Sequence, residues 1–417
     1  MKFSKLSQLL LVSTLGLVVA TLLSACAINT IDYVFVANSA GSSAGSAGQI
    51  QTYDSDSGGG ALRQGAATVP SGGVNPVSLA VSADYANLYV ANEGLAAVSG
   101  GTSVVHFAIS GSGVLTQKDM LTLTNPPIAV AVNQAGTYLY VISGPANPGT
   151  STLSPTLTAY ALSSGTIGSV VAQVTLALPS PYGSDGIVPT GVNVLTNNSG
   201  VFVSAYDASA YNPGGTTTST ANPGWVFSFG VGSGGSLTPA TGSPYKAGVK
   251  PSALVSDPTN RFVYVTDFAS NELIGYTIQD GNVLDFLING PFKTGNEPNA
   301  IAIDPRGIYL YVTNGLDSTV SAFVISLATG TPSSAVNVTG SQTNATDTTP
   351  VAVVVDPSIG RFVYTANQEG NSVSGFTLNP NTGALTPNQA TPYPSGANPA
   401  AITAVPHGNH AVQVPQG

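Results

Sequence analysis

Three charged residues, Lys250, Asp267 and Glu297, stand where they could share chemistry. Lys250 and Glu297 each directly precede a proline, and Asp267 closes the segment Tyr264-Val265-Thr266-Asp267. An amine beside two carboxylates can move protons in general acid–base catalysis, so these three are the catalytic candidates. Asn38, Asn92, Asn314 and Asn367 close segments like that of Asp267, and with Glu93 they are ligand-binding candidates. Asp267 and Asn314 are also metal candidates, because a divalent cation such as Ca²⁺ takes six to eight oxygens. Asn and Asp at such positions equally bond the backbone of their own turn, and both readings stay open. No Ser/His/Asp grouping, HExxH helix, Cys/His zinc spacing or phosphate-cradling glycine loop accompanies them.

The elements that must position these residues repeat along the chain. A proline-led strand A recurs at residues 76–81, 127–132, 189–194, 251–255, 298–303, 350–355 and 399–405. An aromatic and β-branched strand B, of which Val34-Phe35-Val36-Ala37-Asn38 is the first, also recurs seven times. Strand C carries an aliphatic residue three before an aromatic, as in Val320/Phe323, and a weaker strand D follows Gly-x-Leu, as in Gly383-Ala384-Leu385. Units of about fifty residues with short strands and turn punctuation predict radial repetition of four-stranded sheets. The expected fold is all-β, a seven-bladed propeller over residues 33–417. The first strand B has no strand A before it, so residues 399–405 must return from the C-terminus to close the ring. A degenerate further strand at residues 411–414 is left outside this count.

Strand alternation puts the B-to-C loops, the residues before each strand A and the ends of strands B on one face. Lys250, Glu297, Asn75, Asn125 and Asn398 therefore belong with the ends of strands B. The B-to-C loops are long in blades one to four (residues 39–49, 93–103, 144–156 and 206–225) and short after Asp267, Asn314 and Asn367. His106 lies in strand C, and His407 and His410 follow the last strand A at the opposite end. Arg261, Arg306 and Arg361 sit in or after the Asp-Pro turns that face that same opposite end.

Tyr311-Val312-Thr313-Asn314, with Tyr264-Val265-Thr266-Asp267 and Tyr89-Val90-Ala91-Asn92 as variants, resembles the repeat of the YVTN and lactonase-like propellers related to 6-phosphogluconolactonase and the carboxymuconate lactonising enzymes. That resemblance implies the propeller fold over nearly the whole mature chain. It says less about chemistry, since one fold hosts many activities. Catalytic members of such a family are expected to use His, Arg and Glu at the channel, and no position here matches a motif that carries over. The readings are then a binding or recognition scaffold, a lactone hydrolase, or a structural surface-coat protein.

The N-terminus predicts an address. Lys2 and Lys5 precede an apolar run at residues 9–19 that is too short for a settled membrane span. Leu23-Ser24-Ala25-Cys26 matches the lipobox of bacterial lipoproteins. By that resemblance residues 1–25 are a signal peptide, Cys26 carries lipid and residues 26–32 are a short tether. Ala27, rather than Asp, implies delivery to the outer membrane by analogy with lipoprotein sorting. The expectation is an exported, envelope-anchored monomer, with the membrane as one partner and a carbohydrate, peptide or envelope protein as another. Cys26 is the only cysteine, so disulfides within the chain play no part. Loss of Lys2 and Lys5 takes the net charge from −9 to about −11, which argues against nucleic acid as a partner.

Overall fold

A computed structural model describes residues 29–39, 47–94, 101–144, 154–180, 182, 186–208, 223–337 and 339–407. The signal segment, Cys26 and most of its tether, His410 and the further strand expected at residues 411–414 lie outside the described residues. So do most of the long B-to-C loops of blades one to four.

Seven antiparallel sheets surround one axis. Blades two to seven take their inner strands A from Pro76–Val81, Pro127–Val132, Ile187–Val194, Pro251–Ser256, Pro298–Ile303 and Pro350–Val355. Blade one takes Pro399–Pro406, which pairs with Thr30–Asn38 from Asp32 opposite Pro406 to Asn38 opposite Pro399. Each strand A packs against the next, and Pro350–Val355 against Pro399–Pro406 completes the ring. The C-terminal strand thus closes the propeller, and the inner edge of blade one is paired rather than open.

Blades two and three have a continuous strand D, Leu115–Thr122 and Thr166–Thr175. In the other five, strand D is broken into two short pieces that both pair with strand C, as Leu284–Phe286 and Phe292–Lys293 do with Glu272–Ile278. The sequence reading did not foresee this break.

The tyrosine that opens each YVTN-like run fastens one blade to the next. Tyr89, Tyr264, Tyr311 and Tyr364 donate through their hydroxyls to the carbonyls of Gly165, Gly330, Gly383 and Gly60, at 2.6, 2.6, 2.9 and 2.8 Å. All four glycines have positive φ, from 65° at Gly60 to 84° at Gly165. At Gly60, Gly330 and Gly383 a Cβ would also fall 2.3 Å from a ring carbon of Phe362, Phe262 or Tyr309. Both constraints demand glycine in the C-to-D turn. Phe35 and Phe202 hold the corresponding places in blades one and four, and Tyr140 holds it in blade three.

At the opposite end, the acids of the Asp-Pro turns cap strand B. Asp304 Oδ1 accepts from the backbone N–H groups of Ile308 and Tyr309, both at 2.7 Å, while Arg306 Nε donates to its Oδ2 at 2.6 Å. Asp257 receives Arg261 and Phe262 in the same way, and Asp356 receives Arg361 and Phe362. The turns therefore carry these arginines on the face away from Lys250 and Glu297.

Candidate functional site

One irregularity recurs in all seven blades and shapes the mouth of the ring. Strand A pairs at its proline, skips one residue, and resumes pairing at the next. Each is a β-bulge, which leaves one residue unpaired and re-aims its side chain. The skipped residues are Val77, Ile128, Thr190, Ser252, Asn299, Val351 and Ala400, and every one is half-exposed. Their chemistry is segregated: Thr190, Ser252 and Asn299 make a polar arc on blades four to six, and the other four make an apolar arc from blade seven round to blade three.

Neighbouring contacts hold the polar arc. Ser252 Oγ donates to the carbonyl of Pro298 in the next blade at 2.5 Å and is hydrogen-bonded to Thr266 Oγ1 at 2.8 Å. Thr190 Oγ1 meets Ser204 Oγ at 2.8 Å. Asn299 Nδ2 points towards the carbonyl of Pro350 at 3.4 Å, and a Cβ on Gly315 would come within 2.2 Å of that nitrogen. Glycine after Asn314 thus leaves room for the Asn299 side chain.

A second ring lies just above, formed by the residues before the prolines. Asn75, Glu297, Thr349 and Asn398 have φ of 56, 54, 56 and 48°, a left-handed conformation unusual for residues other than glycine. Hydrogen bonds maintain it: Glu297 N–H donates to Asn271 Oδ1 at 2.9 Å, and Glu297 C=O accepts from Gly315 N at 2.8 Å. In blade three this position is Pro126 rather than the expected Asn125, because the strand begins at Pro127. Lys250 and Glu297 are the charged members of this ring, and they stand above Ser252 and Asn299 on adjacent blades.

Lys250 is half-buried among aromatic rings. Its Nζ lies 3.8 Å from the centre of the Phe268 ring and 5.5 Å from that of Tyr206. Tyr206 is there because the ladder of blade four runs two residues past the proline, with Val188 opposite Tyr206 and Ile187 opposite Asp207. Burial lowers the ammonium's pKa from 10.5 to about 8, against the opposing pull of the Glu297 and Asp267 carboxylates. That puts the amine near the range useful for proton transfer at neutral pH.

The remaining sequence candidates play other geometric parts. Asp267 is fully buried and accepts from Val249 N (2.9 Å), Lys250 N (2.9 Å) and Ala269 N (3.2 Å). It fixes the loop that carries Lys250. Asn38, Asn92, Asn314 and Asn367 are also fully buried. Asn92 bonds Ser71 and Ser103, and Asn314 bonds Thr319, Ser321 and the Gly295 N–H. Asn367 donates to Ser372 and Ser374, and Asn38 accepts from Ser395. These are turn clasps that knit the B-to-C turn to the link entering strand A. Glu93 remains at the mouth, where Asn75 Nδ2 donates to it at 2.8 Å; burial raises its pKa and that bond lowers it. Among the described residues no group of three or more His, Cys, Asp or Glu gathers as metal ligands.

Sequence reasoning placed Lys250, Asp267 and Glu297 on one face but missed Thr190, Ser252, Asn299, Tyr206 and Phe268. The signal was available for the first three, as the residue after each strand-A proline changes from polar to apolar round the repeat.

No curated protein sequence matches the chain. A putative 6-phosphogluconolactonase from Bacteroides uniformis is 16% identical, with a TM-score of 0.70 over 90% of this chain and 100% of its own. The periplasmic gluconolactonase PpgL of Pseudomonas aeruginosa is 19% identical, with a TM-score of 0.70 over 92% of this chain and 100% of its own. At such identities the likeness shows the fold. Residues 238–416, somewhat less than half of the chain, match the family described as "Lactonase, 7-bladed beta-propeller", and the chain shares the seven-bladed propeller fold of these proteins.

Proposed function

We propose that the chain is a lactone hydrolase whose site is the mouth between blades four and six. The observation that carries this reading is the half-buried Lys250 ammonium, held beside Phe268 and within the electrostatic reach of Glu297. Glu297 takes a proton from a water molecule as the water oxygen bonds to the lactone carbonyl carbon. The Lys250 ammonium stabilises the oxyanion that forms. The acyl carbon–oxygen bond of the ring then breaks, and the departing ring oxygen takes the proton back from Glu297. The product is the open-chain hydroxy acid, which releases its proton to solvent at neutral pH. The match to the lactonase family and the lactonase names among the structural neighbours support this choice.

The recognition-scaffold reading rests on the Gly-, Ser- and Asn-rich B-to-C loops of blades one to four, most of which lie outside the described residues; of its asparagine candidates, Asn38, Asn92, Asn314 and Asn367 are buried. A pH-stat panel of sugar, alkyl and aromatic lactones decides between the two. The expected result is saturable hydrolysis of at least one lactone by the wild-type chain and its loss in Lys250→Met. Zero hydrolysis across the panel, with saturable binding to an envelope glycan or protein, would replace the enzyme with the scaffold.

The address remains part of the proposal. Lipid on Cys26 would hold the propeller at the envelope, since the six residues from there to Tyr33 span about 20 Å at most when extended. Mass spectrometry of the native N-terminus should find diacylated Cys26; an unmodified cysteine would remove the anchor.

A further inference from the structure

The geometry points to a particular substrate class: a lactone that bears an alkyl or aryl substituent and no phosphate, its ester on the polar arc and its substituent on the apolar arc. This rests on the hydrolase reading and goes beyond it, because the division of the mouth and its charge balance select among lactones.

The charge balance of the mouth disfavours phosphate. The ten Lys and Arg of the chain include Lys2 and Lys5 of the signal segment. Arg261, Arg306 and Arg361 sit at or beside the A-to-B turns of the far face. Arg63, Lys118, Lys246 and Lys293 lie in the outer strands D. Lys246 and Lys293 pair with Trp225 and Glu272, the first residues of their strands C, and so lie on the outer rim of the mouth end. Among the described residues Lys250 is the one basic residue of the inner ring there, with Glu93 and Glu297 as its partly exposed acids and Asp207 and Asp267 buried beneath. A phosphate dianion is usually held by several charge-assisted donors, above all by the bidentate fork of arginine. Here it would meet one ammonium beside the Glu93 and Glu297 carboxylates.

The apolar arc favours a hydrocarbon substituent. Val351, Ala400, Val77 and Ile128 follow one another round blades seven, one, two and three, half-exposed and raised from the ladder by their bulges. Ile128 lies at the same end of the ring as Asn299, since its Cδ1 is 2.9 Å from where a Cβ on Gly144 would stand. A polyhydroxylated lactone facing this arc would leave its hydroxyls without partners, whereas an alkyl chain or aryl ring would remove apolar surface from water. Hydrophobic contacts of this kind discriminate by roughly 10–200-fold per methylene-sized feature.

The test compares kcat/KM for a γ- or δ-lactone with and without an alkyl substituent, a polyhydroxylated sugar lactone and its phosphorylated form. Substituted lactones should be preferred by at least about tenfold over the bare ring, and the phosphorylated sugar lactone should be the poorest. Val351→Asn should reduce that preference, and the nearly isosteric Val351→Thr should reduce it in a protein that keeps its melting temperature. Hydrolysis of the phosphorylated lactone at the highest rate, or no preference for the substituent, overturns the substrate class and leaves the hydrolase standing. Calorimetry with the matching non-hydrolysable lactams separates the other case. Preferential binding of the alkyl lactam without turnover of any lactone overturns hydrolysis and supports the division of the mouth; equal binding of bare and alkyl lactams overturns that division too.

Discussion

The ammonium of Lys250 lies 3.8 Å from the centre of the Phe268 ring, and that ring is part of the short turn that follows Asp267. One loop thus supplies both the apolar cover that lowers the Lys250 pKa and the carboxylate whose backbone bonds hold Lys250 in place. With the group titrating near pH 8, the protonated form that stabilises an oxyanion is lost as pH rises through that value. Hydrolysis, corrected for the spontaneous rate, should fall on the alkaline side of about pH 8. Phe268→Ala should move that limb towards the ordinary lysine range near 10.5, and an unmoved limb would show that burial by this ring is not the cause.

The interblade tyrosines make a paired prediction. Tyr311→Phe removes the bond to the Gly383 carbonyl and should cost about 1 kcal/mol in denaturant unfolding. Tyr140 holds the same place in blade three, yet its buried hydroxyl has no hydrogen-bond partner among the described residues. Tyr140→Phe should therefore be neutral or stabilising. Equal losses in the two variants would contradict the assignment.

Blade closure carries a pH dependence. Burial, and secondarily the Asp356 carboxylate, raise the pKa of Asp32 from 3.8 to about 8, while Ser358 Oγ donates to Asp32 and favours its charged form. The folded protein holds a proton there that the unfolded chain has released. The stabilising contribution is complete below pH 3.8 and disappears as pH rises to about 8. Thermal melts of wild type against Asp32→Asn should diverge across that window, with the variant gaining on wild type as pH rises; parallel profiles would remove Asp32 as the cause.

Removal of residues 399–417 takes away the strand that pairs with Thr30–Asn38. The inner edge of blade one would then offer unpaired N–H and C=O groups, and the expected product aggregates. Soluble monomer with an unchanged melting curve would contradict closure by this strand.

The propeller was legible because each unit announces itself through Pro-led, YVTN-like and Gly-x-Leu segments, whose side chains must alternate between faces. The same alternation placed Lys250 and Glu297 at one mouth. The change of residue type after the strand-A prolines was legible, but the bulges that expose Ser252 and Asn299 were not, since only the register shows which residue is skipped. The neighbourhood of Lys250 was hidden for a similar reason: Tyr206 reaches it through a ladder extended by two residues in blade four. For Asn314 and its counterparts, the residue type allows both a ligand contact and a turn clasp. Burial and the hydroxyls of Thr319 and Ser321, five and seven residues after Asn314, show which bonds form.

The most direct measurement is kcat and KM for Glu297→Gln on the best lactone of the panel. Loss of the carboxylate that accepts the water proton should lower kcat by about 10²-fold or more with little change in KM. A kcat within about threefold of wild type would contradict Glu297 as the base, and with it the assignment of the chemistry to the mouth between blades four and six.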